Sequence, residues 1–363
     1  MVKGVCSIAA VVALVAVSAG ASSSKFFQAA TQTDFLKGEV ENLSIDSQGR
    51  LVLGPATDLV YETSAPFLWA LTSGPDGSLF VGTGNEGKVF RIDPQGKGSV
   101  FFDSAELEAH ALAPAPDGGL YVATSPDGRI YKLDRNGKYT VFFDPDDKYI
   151  WSLAVGVTGT VFAGTGEKGV IYKISPDGEG TKFYETKATH ATELAFDQAG
   201  NLLVGTGTPG RVLRVDAGGK GFVLLDSPFD EIRTLRFGER GMVYVAALSG
   251  RPSSGAPPAA AEGTPFPSAD GGRPLTPSVS VEVTSFAVID SPQAIATAST
   301  PGARESRRNS RGAVYRIAPD GLWDQVWESR DDAPYDLTFA SDGALIVGTG
   351  NKGKIYRLEG DPV

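Results

Sequence analysis

Seven residues of this 363-residue chain share one position, two residues before a leucine that recurs along the sequence. Together they carry a general acid or base, a carboxylate, a guanidinium group and three aromatic rings, which is a mixture typical of ligand pockets. Such a set could bind a ligand through its rings, or could catalyse hydrolysis or elimination with histidine moving the proton. The seven residues are Glu41, Trp69, His110, Trp151, Thr192, Arg233 and Tyr335.

Three hypotheses follow from this position. In the catalytic hypothesis, His110 is the general base or acid, and Glu41 or Arg233 polarises the substrate. In the packing hypothesis, the aromatic residues only fill the joints between repeated units. In the binding hypothesis, the ligand contacts Trp69, His110, Trp151, Arg233 and Tyr335.

Metal and cofactor sites have little support in the sequence. His110 and His190 are the only histidines and Cys6 is the only cysteine, so a zinc cluster would depend on carboxylates. The acidic run at 144–147 lacks the spacing of a calcium loop, and we interpret it as a surface turn. No Gly-x-Ser-x-Gly nucleophile motif occurs. We therefore expect neither a metal nor a cofactor.

The seven positions belong to a repeat. Five successive leucines, at positions 71 to 235, are each 41 residues apart. Leu337 follows Leu235 by 102 residues, so one copy carries an insertion of 61 residues. A period of this length is typical of propellers and other repeat architectures.

The stretch GTGNEGKVFRID at 82–93 has glycines in the spacing of a dinucleotide-binding loop. That loop requires a helix after it, so that phosphate can lie on free amides at the helix N-terminus. Here an alternating apolar and polar run follows, which predicts a strand. Similar stretches begin at Ala163, Val204 and Val347, whereas a cofactor loop would occur once. We therefore predict hairpin glycines and no nucleotide site.

One unit, from Trp69 to Ala109, predicts four short antiparallel strands. A four-stranded unit repeated at this period is the signature of a β-propeller blade, which must pack on its neighbours to bury its faces. The predicted fold class is therefore all-β. The four strands are placed at Trp69–Thr72, Leu79–Thr83, Lys88–Asp93 and Val100–Asp103.

The blade count depends on both ends of the repeat. Asn42–Pro55 repeats the first two strands, and Leu59–Glu62 is predicted as the outer strand of the same shortened blade. Tyr335–Gly360 supplies three strands, and a segment near Thr33–Leu36 could supply the fourth and close the ring. The sequence thus predicts a seven-bladed propeller over residues 31–360, with six blades as the alternative.

The insertion occupies residues 250–310, between strands predicted at Met242–Leu248 and Ala313–Ile317 of the sixth blade. Its Pro, Ala, Ser and Gly content predicts a disordered segment, within which Val279–Asp290 alternates like a strand or hairpin. A small basic run forms either a docking tail or a solvated loop, and we favour the loop. The run comprises Arg304, Arg307, Arg308 and Arg311.

The first 21 residues have the pattern of a signal peptide, with Lys3, an apolar run and small residues before Ser22. An uncleaved membrane anchor is the alternative. Cleavage would remove Cys6 and leave a mature chain without cysteine or a membrane span, in the periplasm or outside the cell. The formal charge of −10 gives no reason to expect nucleic acid or an anionic membrane as a partner.

The units DGSLFVGTGNEGKVFRID and DGALIVGTGNKGKIYRLE resemble those of bacterial exported propellers called WD40-like, of sensor-type propellers, of the gluconolactonase-like group and of streptogramin lyase. The resemblance covers residues 31–360 outside the insertion, without the Gly-His and Trp-Asp pairs of true WD40 repeats. It implies a fold shared by many functions and places no catalytic set on this chain.

We therefore expect an exported, non-catalytic binding or scaffold module. Its expected partner is an envelope or extracellular protein, a peptide or a glycan. A hydrolase or lyase with its active site at the mouth of the channel is the alternative. A purely structural role in an envelope assembly is a third hypothesis.

Overall fold

A computed structural model describes residues 43–45, 50–54, 58–249, 310–350 and 353–359 of the chain. The chain divides into two units, Met1–Glu62 and Thr63–Val363. The architecture is all-β, with antiparallel sheets throughout the described residues.

In the first unit, β1 (Leu43–Ile45) and β2 (Leu51–Leu53) form the antiparallel hairpin that the sequence predicts. The outer strand predicted at Leu59–Glu62 is wrong, because no ladder in the described part of the chain includes these residues. Leu59 is 82% exposed and Val60 58%, so a short alternating run without a partner strand does not form a strand.

The second unit is built from six sheets, which we call blades A to F in chain order. Strands within a blade pair in sequence order, and one bridge between Gly207 and Glu231 joins blades D and E into a single eight-stranded sheet.

Blade A contains β3 (Phe67–Ser73), β4 (Leu79–Gly84), β5 (Lys88–Ile92) and β6 (Gly98–Asp103). Blade B contains β7 (Glu108–Pro114), β8 (Leu120–Ser125), β9 (Ile130–Leu133) and β10 (Tyr139–Phe143). Blade C contains β11 (Ile150–Val155), β12 (Val161–Thr165), β13 (Val170–Ile174) and β14 (Gly180–Glu185). Blade D contains β15 (His190–Phe196), β16 (Leu202–Gly207), β17 (Arg211–Val215) and β18 (Gly221–Asp226). Blade E contains β19 (Glu231–Phe237), β20 (Val243–Leu248), β21 (Gly312–Ile317) and β22 (Trp323–Ser329). Blade F contains β23 (Pro334–Phe339), β24 (Leu345–Thr349) and β25 (Ile355–Leu358).

The predicted four-stranded unit is confirmed, with strand ends shifted by one or two residues. For example, β3 begins at Phe67 and β6 at Gly98, each two residues before the predicted start. Strands β20 and β21 flank the insertion as predicted, and Leu248 pairs with Gly312. The N–H of Ser249 donates to the carbonyl of Arg311 at 3.0 Å, so the two ends of the insertion lie side by side.

Several predictions fall on residues that lie outside the described part of the chain. The seven-blade count and the closing strand therefore stay predictions. The residues concerned are 1–21, Thr33–Leu36, Glu41 and 250–309, which include Val279–Asp290, Arg304, Arg307 and Arg308.

The hydrophobic core lies between neighbouring blades. Each of five core clusters contains residues from two successive blades, as with Tyr121 of blade B and Val161 of blade C. The second strands are buried on both faces, and every residue of β8 is buried. First strands of successive blades lie next to each other, from β3 beside β7 to β19 beside β23. The blades therefore stack face to face with their first strands innermost.

The repeated Gly-Thr-Gly motif has a packing role that differs from the prediction. Only Gly87 is a hairpin glycine, with a φ of 58°, whereas Gly82 and Gly84 lie within β4. A Cβ at Gly82 would collide with the carbonyl oxygen of Ala109 in blade B. Thr83 between them donates its hydroxyl to the carbonyl of Lys88 at 2.9 Å and accepts the N–H of Lys88 at 3.0 Å. The motif thus allows close blade contact and fixes the hairpin.

Candidate functional site

The predicted rim residues share one backbone feature, a β-bulge in the first strand of each blade. In blade A the pairing with β4 passes from Leu68 to Ala70 and skips Trp69. A bulged residue has no partner on the neighbouring strand, and bulges often redirect a side chain next to a functional site. The same skip occurs in all six blades, at Trp69, His110, Trp151, Thr192, Arg233 and Tyr335. We call these six residues the rim.

Four rings on blades A to D form a continuous chain of contacts, which we call the aromatic arc. The rings of Trp69 and His110 have centroids 5.5 Å apart, and those of His110 and Trp151 are 4.4 Å apart with near-perpendicular planes. Trp151 in turn meets the ring of His190 at 5.6 Å. The packing hypothesis is thus right in part, because the rings pack on each other across blade joints. Trp69 nevertheless remains 39% exposed.

The residue two positions before a rim residue pairs with it. Phe67 stacks on Trp69 with centroids 5.8 Å apart, and Tyr149 stacks on Trp151 at the same distance. In blade B the partner is Glu108, whose Oε2 lies 3.7 Å from Nδ1 of His110. Sequence analysis missed this second set of residues. Its signal is the spacing of two, since alternate residues of a strand lie on the same side.

In blade E the corresponding pair is ionic. Glu231 Oε1 lies 3.4 Å from Nη1 of Arg233, and the guanidinium carbon of Arg233 lies 5.7 Å from the ring centroid of Tyr335 in blade F. Arg233 and Tyr335 are therefore in contact, as a binding rim would require. Tyr335 is 50% exposed. Thr192 differs, because its hydroxyl donates to the carbonyl of Ile232 at 2.6 Å and so joins blades D and E.

His110 is neutral at neutral pH. Burial, with a smaller contribution from the positive charge of Arg233, lowers the pKa of His110 from its ordinary value of 6.5 to about 4. The contact with Glu108 is therefore not an ion pair at pH 7. Arg233 is three blades further along the chain, yet its charge acts on His110.

A second group of charges lies close to the rim positions on blades D, E and F. Glu193 and Asp336 directly follow their rim residues, whereas Arg236 lies three residues after Arg233. Arg236 donates from Nη1 to Glu193 Oε1 at 3.2 Å and from Nη2 to Asp336 Oδ1 at 2.7 Å. Although 28% of the Glu193 side chain is exposed, desolvation by the surrounding protein raises its pKa from 4.5 to about 7, against the opposing effect of Arg236. The sequence analysis did not single out these residues.

Glycines of the second strands form the floor under the rim. A Cβ at Gly166 would lie 2.6 Å from Nε1 of Trp151, and one at Gly350 would lie 2.5 Å from the ring of Tyr335. Gly84 has the same relation to Trp69. In blade B, Ser125 replaces this glycine and pairs with Glu108, and its buried hydroxyl has no hydrogen-bond partner. In blades A, C and F the rim side chain therefore lies against the second strand, with no room beneath it for a Cβ.

Among the described residues, no cluster of three or more His, Cys, Asp or Glu side chains could hold a metal ion. The surface-turn interpretation of 144–147 needs correction at Asp147, which is 9% exposed and accepts a 2.6 Å hydrogen bond from the Tyr172 hydroxyl. This carboxylate ties the linker before blade C to the third strand of that blade.

A shallow groove occurs at the opposite end of blades A and B. It lies between the turns after β3 and β7, away from Trp69 and His110. Its one charged side chain, Arg135, already donates from Nε to the carbonyl of Asp117 at 2.9 Å. The groove therefore offers less chemistry than the rim.

Among the described residues, no helix has the length and apolar character needed to cross a membrane.

Comparison with solved structures identifies the fold class as a β-propeller. A catalytically inactive virginiamycin B lyase from Staphylococcus aureus, with quinupristin, has a TM-score of 0.54 and 12% sequence identity, covering 86% of this chain and 85% of that one. The extracellular domain of a putative hybrid two-component system from B. thetaiotaomicron has a TM-score of 0.53 and 13% identity, covering 84% of this chain and 33% of that one.

No protein-family model and no curated protein sequence matches the chain. The similarity to a lyase and to a sensor domain confirms the expected propeller fold, whereas the WD40-like label stays a prediction. Identities of 12–13% support the fold alone.

Proposed function

We propose that the protein is a non-catalytic binding module that takes a protein, peptide or glycan on its rim. The observation that carries this proposal is the bulge that all six described blades place at the same position. The bulge gives every blade one redirected side chain over a common space. Five of the six are aromatic or charged and lie in contact with a neighbour.

The rim has two halves with different chemistry. The aromatic arc supplies flat apolar surface at low entropy cost, which suits a sugar face or an apolar peptide side chain. Arg233 and Glu231 on the other half supply a charge-assisted hydrogen-bonding pair that could orient the ligand. A ligand that spans the mouth would contact both halves.

An enzyme is the second candidate, and its chemistry would differ from the hypothesis based on His110. A general base works best with a pKa near the working pH, so a histidine with a pKa of about 4 is a weak base at pH 7. Glu193 has a pKa of about 7 and lies directly after rim residue Thr192. A hydrolase or lyase reaction would therefore depend on Glu193, and the fold shared with a lyase makes that test worthwhile.

Export is part of the proposal. The N-terminal 21 residues have the signal-peptide pattern, and one structure of the same fold is an extracellular domain. The expected partner is then a component of the envelope or the extracellular space. A protein with a formal charge of −10 has no electrostatic reason to bind nucleic acid.

The test screens the mature protein against envelope proteins, peptides and glycans, and repeats each hit with rim variants. Trp69→Ala and Trp151→Ala should each weaken binding by tenfold or more, an effect of ~1.4 kcal/mol or above that is common for aromatic anchors. Trp323→Ala is the matched control, because Trp323 is 46% exposed but lies on outer strand β22. Binding that is unchanged in both rim variants would place the site elsewhere. Turnover that Glu193→Gln abolishes would establish the enzyme instead.

A further inference from the structure

Beside the rim, the carboxylate of Glu108 lies between two aromatic pairs. Phe67 and Glu108 are the first residues of β3 and β7, and Tyr149 directly precedes β11. Each lies two residues before the rim residue of its blade, which is Trp69, His110 or Trp151. The Trp69, His110 and Trp151 rings contact one another in that order, so their three partners also follow in order around the mouth. Glu108 is thus flanked on each side by a stacked aromatic pair.

We infer that these six residues, the cation cleft, bind a lysine or arginine side chain of a partner peptide or protein. The inference rests on the proposed function and specifies its ligand. A cation over an aromatic face and beside a carboxylate gains both a cation–π contact and an ion pair. The exposed surface needed for entry is present, since Phe67 is 49% exposed and Trp69 39%. The Glu108 side chain is 29% exposed.

Among the described residues, no lysine or arginine neutralises the charge of Glu108. Within the described residues, Glu108 forms no ion pair with a lysine or arginine. The titratable side chain recorded close to it there is the imidazole of His110. That imidazole is uncharged at pH 7. Glu86 and Glu193 differ from Glu108, since Glu86 pairs with Lys88 at 3.0 Å and Glu193 with Arg236 at 3.2 Å. A half-buried, unpaired carboxylate between aromatic rings favours a cationic occupant.

The wider charge distribution points the same way. The chain carries a formal charge of −10, which attracts cationic partners over longer range. The rim cation Arg233 lies on blade E and is engaged by Glu231 at 3.4 Å. An acidic ligand would meet an uncompensated carboxylate at Glu108, so charge complementarity selects a basic segment.

The experiment measures binding of short glycine–serine peptides that carry lysine, arginine, leucine or glutamate, by calorimetry at low and physiological salt. Lysine or arginine peptides should bind, and Glu108→Gln should weaken them about tenfold. Glu167→Gln is the matched control, because it removes the same charge from the exposed β12–β13 hairpin of blade C. Its effect should stay below about twofold. Tyr149→Phe should retain binding and Tyr149→Ala should weaken it.

The outcomes separate this inference from the proposed function. Equal weakening by Glu108→Gln and Glu167→Gln would show general attraction to an acidic surface and overturn the inference. A neutral or acidic ligand that depends on Trp69 and Trp151 but not on Glu108 would overturn it and leave the proposed function standing. If lysine or arginine peptides bind every rim variant as tightly as the parent, both the inference and the proposed function are overturned.

Discussion

The buried neutral state of His110 predicts a specific pH dependence of stability. In the folded protein the pKa of His110 is about 4, compared with 6.5 when the side chain is fully solvated. At His110 the folded state therefore binds fewer protons than the unfolded state between pH 4 and 6.5, so the contribution of His110 to stability falls as the pH drops through this window. A difference of 2.5 pKa units corresponds to about 3 kcal/mol, of which about 2 kcal/mol is lost by pH 5.

The assay compares urea unfolding of the parent protein and of His110→Gln at pH 7, 6, 5 and 4.5. Other titrating groups affect both proteins alike, so the difference between their pH slopes isolates His110. The variant should lose about 2 kcal/mol less than the parent between pH 7 and pH 5. Parallel slopes in the two proteins would refute the reasoning, as would a directly measured histidine pKa near 6.5 in a His190→Gln background.

A second substitution tests the geometry behind this pKa. Because the positive charge of Arg233 contributes to the lowered pKa of His110, Arg233→Gln should raise that pKa. The shift is readable by NMR, since the chain has only two histidines. An unchanged pKa of His110 in Arg233→Gln would mean that blades B and E do not face one common space.

Three further predictions address the motif, the charged group and the insertion. Gly82→Ala should destabilise the fold by about 1–3 kcal/mol in urea unfolding, because the added Cβ would meet the carbonyl of Ala109. Gly156→Ala is the control, since the nearest contact of its Cβ would be 3.5 Å away. Equal effects of the two substitutions would contradict close contact between blades A and B. The raised pKa of Glu193 contributes a loss of stability as pH rises from 4.5 to 7, opposite in sign to the contribution of His110, so stability should rise more steeply with pH in Glu193→Gln than in the parent; equal slopes would remove Glu193 as a titrating group. Replacing residues 250–310 by a four-residue hairpin should leave the melting temperature nearly unchanged, since Ser249 and Arg311 are already hydrogen-bonded. A large fall in the melting temperature would indicate that the insertion is packed structure.

The repeat and its strands could be predicted because their signals are local. Period-two alternation and glycine turns specify strand and hairpin wherever they occur, so the structure shifts strand ends only by one or two residues. The rim positions could be predicted because each lies two residues before a leucine that recurs in every blade. The β-bulge at these positions could not be predicted, because the spacing of the leucines is the same with or without a bulge.

The remaining features depend on which residues meet across blades. Arg236 joins Glu193 and Asp336, which are 43 and 100 residues away in the chain. No local pattern marks such a contact, and none shows that Gly82 must face the Ala109 carbonyl rather than form a turn. The failed prediction at Leu59–Glu62 has the same cause, since a strand requires a partner that the segment itself cannot supply.

A comparison among the blades explains where function can reside in such a fold. Gly-Thr-Gly occurs in blades A, C, D and F. In blades A, C and D its first glycine lies against the next blade, and in all four its threonine bonds across the hairpin, so a change there would disturb packing. The bulged position has no cross-strand partner. In blades A, C, D and F a second-strand glycine lies beneath it, so tryptophan, threonine and tyrosine all fit there, and blade E accepts arginine at the same bulge without that glycine. Differences between blades at this position therefore cost little stability while changing the chemistry of the mouth. In this chain those differences place rings on blades A to C and an arginine on blade E, with Glu108 between the rings as the carboxylate that no cation of the described protein neutralises.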